Sequence, residues 1–241
     1  MLDGLRDNCG YTARGGHAMV DLFHDALFTP TDVSHHLVIP HRTVTSWLSD
    51  SAPGGPLVHR VPAERRGAAN VTFIALVEAY VLRALRTELR FSKRRIREAV
   101  EAVRRELDTP YALASQRIAT DGIDIFVHYS DDEFARVGDH QMPVREFIAD
   151  YLRFIDWGGT DHATRLRLRQ FADDTPVIID PRFNWGSPVV ERTKTPVKAV
   201  VDLFTAGEPI DVVAEEYGLR EEEVEAICRA ELLRAEILTA A

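Results

Sequence analysis

Apolar and polar positions along the chain change period several times, and each change marks an element. Residues 1–28 show a turn-prone Arg14-Gly15-Gly16 and then a short apolar pattern from Met19 to Phe28. Thr29-Pro30-Thr31-Asp32 reads as a helix start, with an N-cap threonine and proline in the first turn. That short helix runs to about His36, Pro40 interrupts it, and a second helix is predicted from His41 to Leu48. Pro53-Gly54-Gly55-Pro56 then introduces Leu57–Val61, a short strand by its composition. A charged turn at Glu64-Arg65-Arg66-Gly67 leads to a second extended stretch at Val71–Phe73.

Two strong helices follow. Phe73, Ile74, Leu76, Val77, Tyr80, Val81, Ala84, Leu85 and Leu89 keep helical spacing on a broad apolar face. Ser92 caps the next helix, with inner face Ile96, Val100, Val103 and Leu107, and Pro110 lies past its end. The alternation of Ile123, Ile125 and Val127 after Asp121-Gly122 predicts a β-hairpin over Leu113–Tyr129. A helix near Val144–Tyr151, a strand near Arg165–Phe171 and a short strand at Thr175–Pro181 complete the middle. Three helices close the chain: Pro196–Ala206, Pro209–Tyr217 and Arg220 to about Leu238, with Gly207 and Gly218 at C-cap positions. The expected class is α+β and mainly helical, divided into residues 1–110, 111–175 and 176–241.

Charge divides the chain differently from hydropathy. The formal charge of the 241 residues is −9. Residues 201–241 hold 11 carboxylates against Arg220, Arg229 and Arg234, whereas residues 31–105 hold 13 basic and 7 acidic side chains. A basic segment joined to an acidic one points to two different partners. The N-terminal sequence lacks a signal-peptide layout and no apolar run is long enough to span a membrane. Cys9 and Cys228 have no ligand spacing, so a reducing, cytoplasmic setting is the expectation.

Two short helices followed by two extended stretches around an arginine-bearing turn match a winged helix-turn-helix, which reads DNA with its second helix. In that helix Val44, Trp47 and Leu48 share one face, while Arg42, Thr43, Thr45 and Ser46 fall largely on the other. Arg42 suits a guanine edge or a phosphate, and the hydroxyls are adaptable donors and acceptors. Arg60, Arg65 and Arg66 are natural phosphate contacts. No glycine occupies the turn between the two helices.

Pro40-His41-Arg42-Thr43-Val44-Thr45-Ser46-Trp47-Leu48, then a wing, then Val71-Thr72-Phe73-Ile74-Ala75-Leu76-Val77-Glu78, resembles the start of a MerR-type DNA-binding domain. Unlike MerR regulators, the chain has no long unbroken dimerisation helix and no metal-sensing cysteine cluster. Further on, Asp180-Pro181-Arg182-Phe183-Asn184-Trp185-Gly186-Ser187-Pro188-Val189-Val190-Glu191-Arg192-Thr193 resembles the opening of a small three-helix domain catalogued without a function. Thr195-Pro196-Val197, Ala206-Gly207-Glu208-Pro209-Ile210 and Ala214-Glu215-Glu216-Tyr217-Gly218-Leu219 continue the likeness, over about residues 176–236. The two halves together resemble the VapB-type antitoxins of actinobacteria. That resemblance implies a partner, a ribonuclease toxin of PIN-like fold, and operator DNA.

The last two helices also imitate a helix-turn-helix, but the would-be reading helix opens with Glu221, Glu222, Glu223 and Glu225. Carboxylates stabilise a helix N-terminus and are repelled by phosphates, so this module is expected to bind protein. Val224, Ile227, Cys228 and Leu232 form an apolar face that must meet its own core, a second subunit or a toxin. Arg229 and Arg234 could pair with carboxylates of a toxin, or could be ordinary solvated arginines. The candidate partner-binding set is therefore Val224, Ile227, Arg229, Leu232 and Arg234.

Other clusters carry little chemistry. His35, His36 and His41 straddle the proline break with no ligand partner at a metal spacing. Asp121, Asp124 and His128 fit a turn and surface positions, and Asp131-Asp132-Glu133 and Asp173-Asp174 read as loop charges. No Gly-rich phosphate loop, nucleophile elbow or zinc-protease pair is present. The expectation is a non-catalytic antitoxin without cofactor or metal, which neutralises a ribonuclease toxin and represses its own operon as a homodimer. A MerR-like regulator binding a small effector and a metal-dependent enzyme using the acidic middle region are the alternatives.

Overall fold

The computed structural model describes residues 20–51, 55–119, 122–128 and 144–240. Cys9, the Arg14-Gly15-Gly16 turn, Asp121, the Asp131-Asp132-Glu133 run and part of the Pro53-Gly54 turn lie outside the described residues.

The N-terminal unit starts with α1 (Pro30–Leu37) and α2 (His41–Trp47). Thr29 and Asp32 form a reciprocal capping box: the Asp32 N–H donates to Thr29 Oγ1 at 3.1 Å, and the Thr29 N–H to Asp32 Oδ2 at 2.8 Å. Both helices pack on α3 (Phe73–Arg83), in which every residue from Phe73 to Leu82 is buried. A helix apolar almost all round must sit at the centre of a domain, and α3 does. Its last turn widens into a π-helical stretch, Ala84–Glu88, and α4 (Lys93–Glu106) follows with Ser92 as its N-cap. Tyr80 of α3 donates its hydroxyl to the Tyr151 carbonyl at 2.9 Å, tying the pillar to α6 (Val144–Leu152).

Residues 112–119 and 122–128 correct the hairpin expectation. They form two 3-10 turns, Ala112–Ala114 and Gln116–Ala119, and the helix α5 (Gly122–His128). Ala112, Leu113 and Ala114 are all buried, which no period-two strand facing solvent on one side would produce. Gly122 opens α5, and a Cβ there would stand 2.9 Å from Ile118 Cδ1, so the glycine lets the helix start close to the preceding 3-10 turn. A short β-branched alternation fits either period, and burial on the helical faces of α4 and α6 selects the helix.

Four short strands build one antiparallel sheet in the order β1 (Ile155–Asp156), β2 (Arg165–Arg167), β3 (Val177–Ile179), β4 (Val189–Val190). Leu166 pairs with both Ile155 and Ile179, and Val177 with Val190. The sheet therefore joins strands from either side of residue 175. The last elements are α7 (Val197–Thr205), α8 (Ile210–Tyr217) and α9 (Glu221–Ala240), a three-helix module tied to β4 where Pro196 bridges Val189. Helical and sheet elements share one apolar core that extends from Phe28 to Ala230.

Candidate nucleic-acid interface and partner surface

The connection between α1 and α2 shows how the chain makes a tight turn without glycine. Val38 takes the left-handed conformation, φ 50° and ψ 54°. The Ile39 N–H reaches back to the Ser34 carbonyl at 3.0 Å, and the Ser34 hydroxyl donates to the Ile39 carbonyl at 2.6 Å. A non-glycine residue in this region costs about 1–2 kcal/mol. Val38 is only 9% exposed, and burying a valine side chain returns about 1.5–3 kcal/mol, enough to offset the strain.

This turn sets α2 with Val44, Trp47 and Leu48 in the core, as expected. Arg42 and Thr45 are exposed, and Thr43 and Ser46 are half-buried. The Thr45 hydroxyl donates to the Arg42 carbonyl at 3.1 Å. The first turn of α2 carries no carboxylate. Its outer face is cationic and rich in hydrogen-bonding groups.

The wing expectation needs revision in its geometry. Leu57 and Val58 both donate their N–H groups to the Trp47 carbonyl, at 2.8 and 3.2 Å. Val71 bridges Phe28 and not Leu57–Val61. Residues 61–70 thus form a loop closed at its base by one bond, from Val61 N–H to the Asn70 carbonyl at 3.0 Å. Arg65 and Arg66 are exposed on that loop, and with Arg42 they have no carboxylate partner among the described residues. Arg60 differs, because it is paired with Asp50.

A residue that the sequence reading overlooked holds the loop in place. Glu78, fully buried in α3, accepts the His59 backbone N–H at 2.9 Å and faces His59 Nδ1 at 2.8 Å. Arg104 of α4 approaches the same carboxylate at 3.6 Å and donates to the Leu57 carbonyl at 3.0 Å. Arg97 donates to the Gly55 carbonyl at 2.9 Å. These two arginines of the basic segment therefore hold the chain leading into the loop. The signal was present: Glu78 is the only charged residue between Phe73 and Leu82.

In the C-terminal module, Val224 and Ile227 lie wholly in its own core, one of the three occupants left open. Cys228 is buried beside them, and burial followed by the neighbouring Glu231 charge pushes its thiol up. Leu232 is 66% exposed, and Arg229 is exposed with Glu225, at 3.9 Å, as its one ion-pair partner among the described residues. Arg234 is half-buried, paired with Glu231, and its charge reaches His35 and His36 of α1. Burial pushes the His36 imidazole down to about 4, with Arg234 acting in the same sense and Asp32 against it. Among the four glutamates opening α9, Glu223 turns inward: it accepts the Arg220 N–H at 2.8 Å and pairs with Arg192 at 2.7 Å. Burial opposes its ionisation, yet these donors hold its carboxyl below the ordinary range. Glu221, Glu222 and Glu225 remain exposed.

The loop before β4 carries the most exposed large apolar side chain of the described residues, Trp185 at 71%. Asn184, Trp185 and Gly186 have φ values of 47°, 52° and 78°, three consecutive left-handed residues. Asp180, buried, anchors the loop through the Arg182 N–H at 3.0 Å and the Arg182 guanidinium at 2.6 Å. Gly186 packs against the N-terminal unit, where a Cβ would stand 2.9 Å from Phe28 Cζ. The loop is thereby fixed with its indole outward, a residue the sequence reading quoted but did not single out.

No group of three or more His, Cys, Asp or Glu side chains that could hold a metal occurs among the described residues. Asp124 is paired with Arg145, and Asp173 with Arg167. Among the described residues, no helix is long and apolar enough to cross a membrane.

Residues 177–229 match the family described as "Protein of unknown function (DUF433)". Over 218 residues, 82% of this chain and 90% of the other, the sequence is 28% identical to "Putative antitoxin VapB45" of Mycobacterium tuberculosis. The crystal structure of Rv2018 from Mycobacterium tuberculosis superposes with a TM-score of 0.71 at 28% identity, covering 87% of this chain and 99% of that one. The likeness to the protein named as an antitoxin extends over most of both chains. The matched family segment begins at β3 and ends within α9, so it takes in Asp180, Trp185 and the inward Glu223.

Proposed function

We propose that the protein is a non-catalytic antitoxin that binds and neutralises a ribonuclease toxin of PIN-like fold and represses its own operon by binding operator DNA as a homodimer. The likeness over most of the chain to a protein named as an antitoxin carries this reading. The charge distribution supports it. The N-terminal unit offers Arg42, Thr43, Thr45 and Ser46 on α2, with Arg65 and Arg66 on the loop, for the major groove and backbone. Arg60, already paired with Asp50, stands at the edge of that surface.

The C-terminal module offers the toxin an acidic surface and the indole of Trp185, a rigid aromatic anchor of the kind that dominates interface energies. The arginines that flank Trp185 in the sequence are engaged within the chain, Arg182 by Asp180 and Arg192 by Glu223, which favours a protein pocket over a phosphate backbone. The test is an affinity pull-down of the tagged protein from its native cells, with bound proteins identified by mass spectrometry. A stoichiometric small partner encoded in the adjacent frame is the expected result, and Trp185→Ala should weaken its binding by about 2 kcal/mol. Recovery of the protein alone would overturn the toxin part and leave a DNA-binding regulator.

A further inference from the structure

α9 runs for 20 residues, and its two sides differ. The inner side buries Val224, Ile227, Cys228 and Ala230. The outer side exposes Leu232, Leu233 and Ile237 by 66%, 52% and 56%, three of the five exposed large apolar side chains among the described residues. At about 100° per residue, Glu225, Arg229 and Glu236 fall on the same outer side, between these apolar groups. We infer that this face is covered by α9 of a second copy of the chain, packed antiparallel across a two-fold axis between Leu232 and Leu233.

The charges choose both the occupant and the direction. In that register Leu232 of one copy meets Leu233 of the other, and Arg229 stands opposite Glu236 on each side of the axis. The face is therefore complementary to itself, as a two-fold interface requires. A parallel pair would set Arg229 against Arg229 and Glu236 against Glu236, which is repulsive. Within the chain these charges are poorly used: Arg229 lies 3.9 Å from Glu225, and Glu236 has no ion-pair partner among the described residues. The opposite side of α9 is already committed to the module and, through Arg234, to the neighbourhood of α1. The inference gives the dimer of the preceding reading a surface, and it needs neither toxin nor DNA to be tested.

The experiment is sedimentation equilibrium on the purified full-length protein. The parent protein should dimerise at micromolar concentration. Leu232→Glu with Leu233→Glu should give a monomer of unchanged circular dichroism, since both side chains are exposed. Arg229→Glu and Glu236→Arg should each weaken the dimer by about tenfold, and the two together should restore it, because the pair is then reversed and again complementary. A monomeric parent, a dimer indifferent to all four substitutions, or a double charge swap that fails to recover would overturn the inference. If the parent is monomeric and the leucine variants lose a captured toxin, the face belongs to that toxin. Loss of toxin capture or operator binding with the dimer intact would count against the functional reading and leave this interface standing.

Discussion

The chain builds the same helical corner twice and gives the two copies opposite electrostatics. α1 and α2 are joined by residues 38–40, α8 and α9 by residues 218–220. In both, a left-handed residue follows the first helix, Val38 in one and Gly218 in the other. In both, the next N–H reaches five residues back, Ile39 to Ser34 at 3.0 Å and Leu219 to Ala214 at 2.9 Å. The second helix then differs. α2 opens with His41 and Arg42 and no acid, whereas α9 opens with Glu221, Glu222 and Glu223. Backbone geometry alone would make either helix a candidate for a DNA groove, so function follows from the side chains grafted on the corner. Support differs as well. The loop beside α2 is held by the buried Glu78 carboxylate, while α9 is anchored by its own Glu223 through Arg220 and Arg192.

The strongest way to break this contrast is to remove Glu78. Glu78→Leu leaves the His59 N–H without its acceptor and the Arg104 guanidinium without its counter-ion, and should destabilise the fold by about 4 kcal/mol, read from urea unfolding. Glu78→Gln, which keeps an acceptor for the His59 N–H, should lose less. If the two variants lose equally little, the clamp does not hold the loop.

A smaller effect is expected where the two units meet. Unfolded His36 takes up a proton near pH 6.5, but in the folded protein it does so only near 4. Stability from this group is complete above pH 6.5 and is lost as pH falls through that window. Between pH 7.5 and 4.5 the loss should be about 2.5 kcal/mol, and His36→Gln should flatten that part of the profile. An unchanged slope in the variant would place the proton uptake elsewhere.

The third test addresses the basic corner directly. Arg42→Ala with Arg65→Ala should weaken operator binding by about 2 kcal/mol and reduce the salt slope by one to two units, measured by fluorescence anisotropy, with toxin binding intact. Parent-like affinity in this double variant would move the DNA site off α2. The smallest effect compares the two turns. Beyond its chain neighbours, no atom lies within 4 Å of a Cβ built on Gly218, so Gly218→Ala tests backbone conformation and should cost about 1.5 kcal/mol. Val38→Gly should be within about 1 kcal/mol of neutral, because relief of strain and loss of a buried side chain oppose each other. A large stabilisation by Val38→Gly would mean that the valine side chain contributes little to the turn.

What could be read from the sequence was local. The Thr29 cap with Pro30, the Pro40 break, the Ser92 cap and the Gly207 and Gly218 stops are signals carried by one or two residues, and the helices they bound were all legible. Strong amphipathic spacing likewise placed α3 and α4, and the charge contrast between Arg42 and Glu221 needed no coordinates. Tertiary structure decided what depends on distant neighbours. Residues 113–119 and 122–128 fold as 3-10 turns and a helix because Ile118, Gly122 and Phe126 are taken into the core, a choice that short-range alternation leaves degenerate. β1 and β4, two residues each, are too short to leave a pattern and exist only through their pairing with β2 and β3. Val224 and Ile227 share an apolar stripe with exposed neighbours, and only packing shows which of them are taken up by the core. Glu78 acquires its meaning from His59 and Arg104, 19 and 26 positions away, brought together when α3 and α4 enclose the incoming loop.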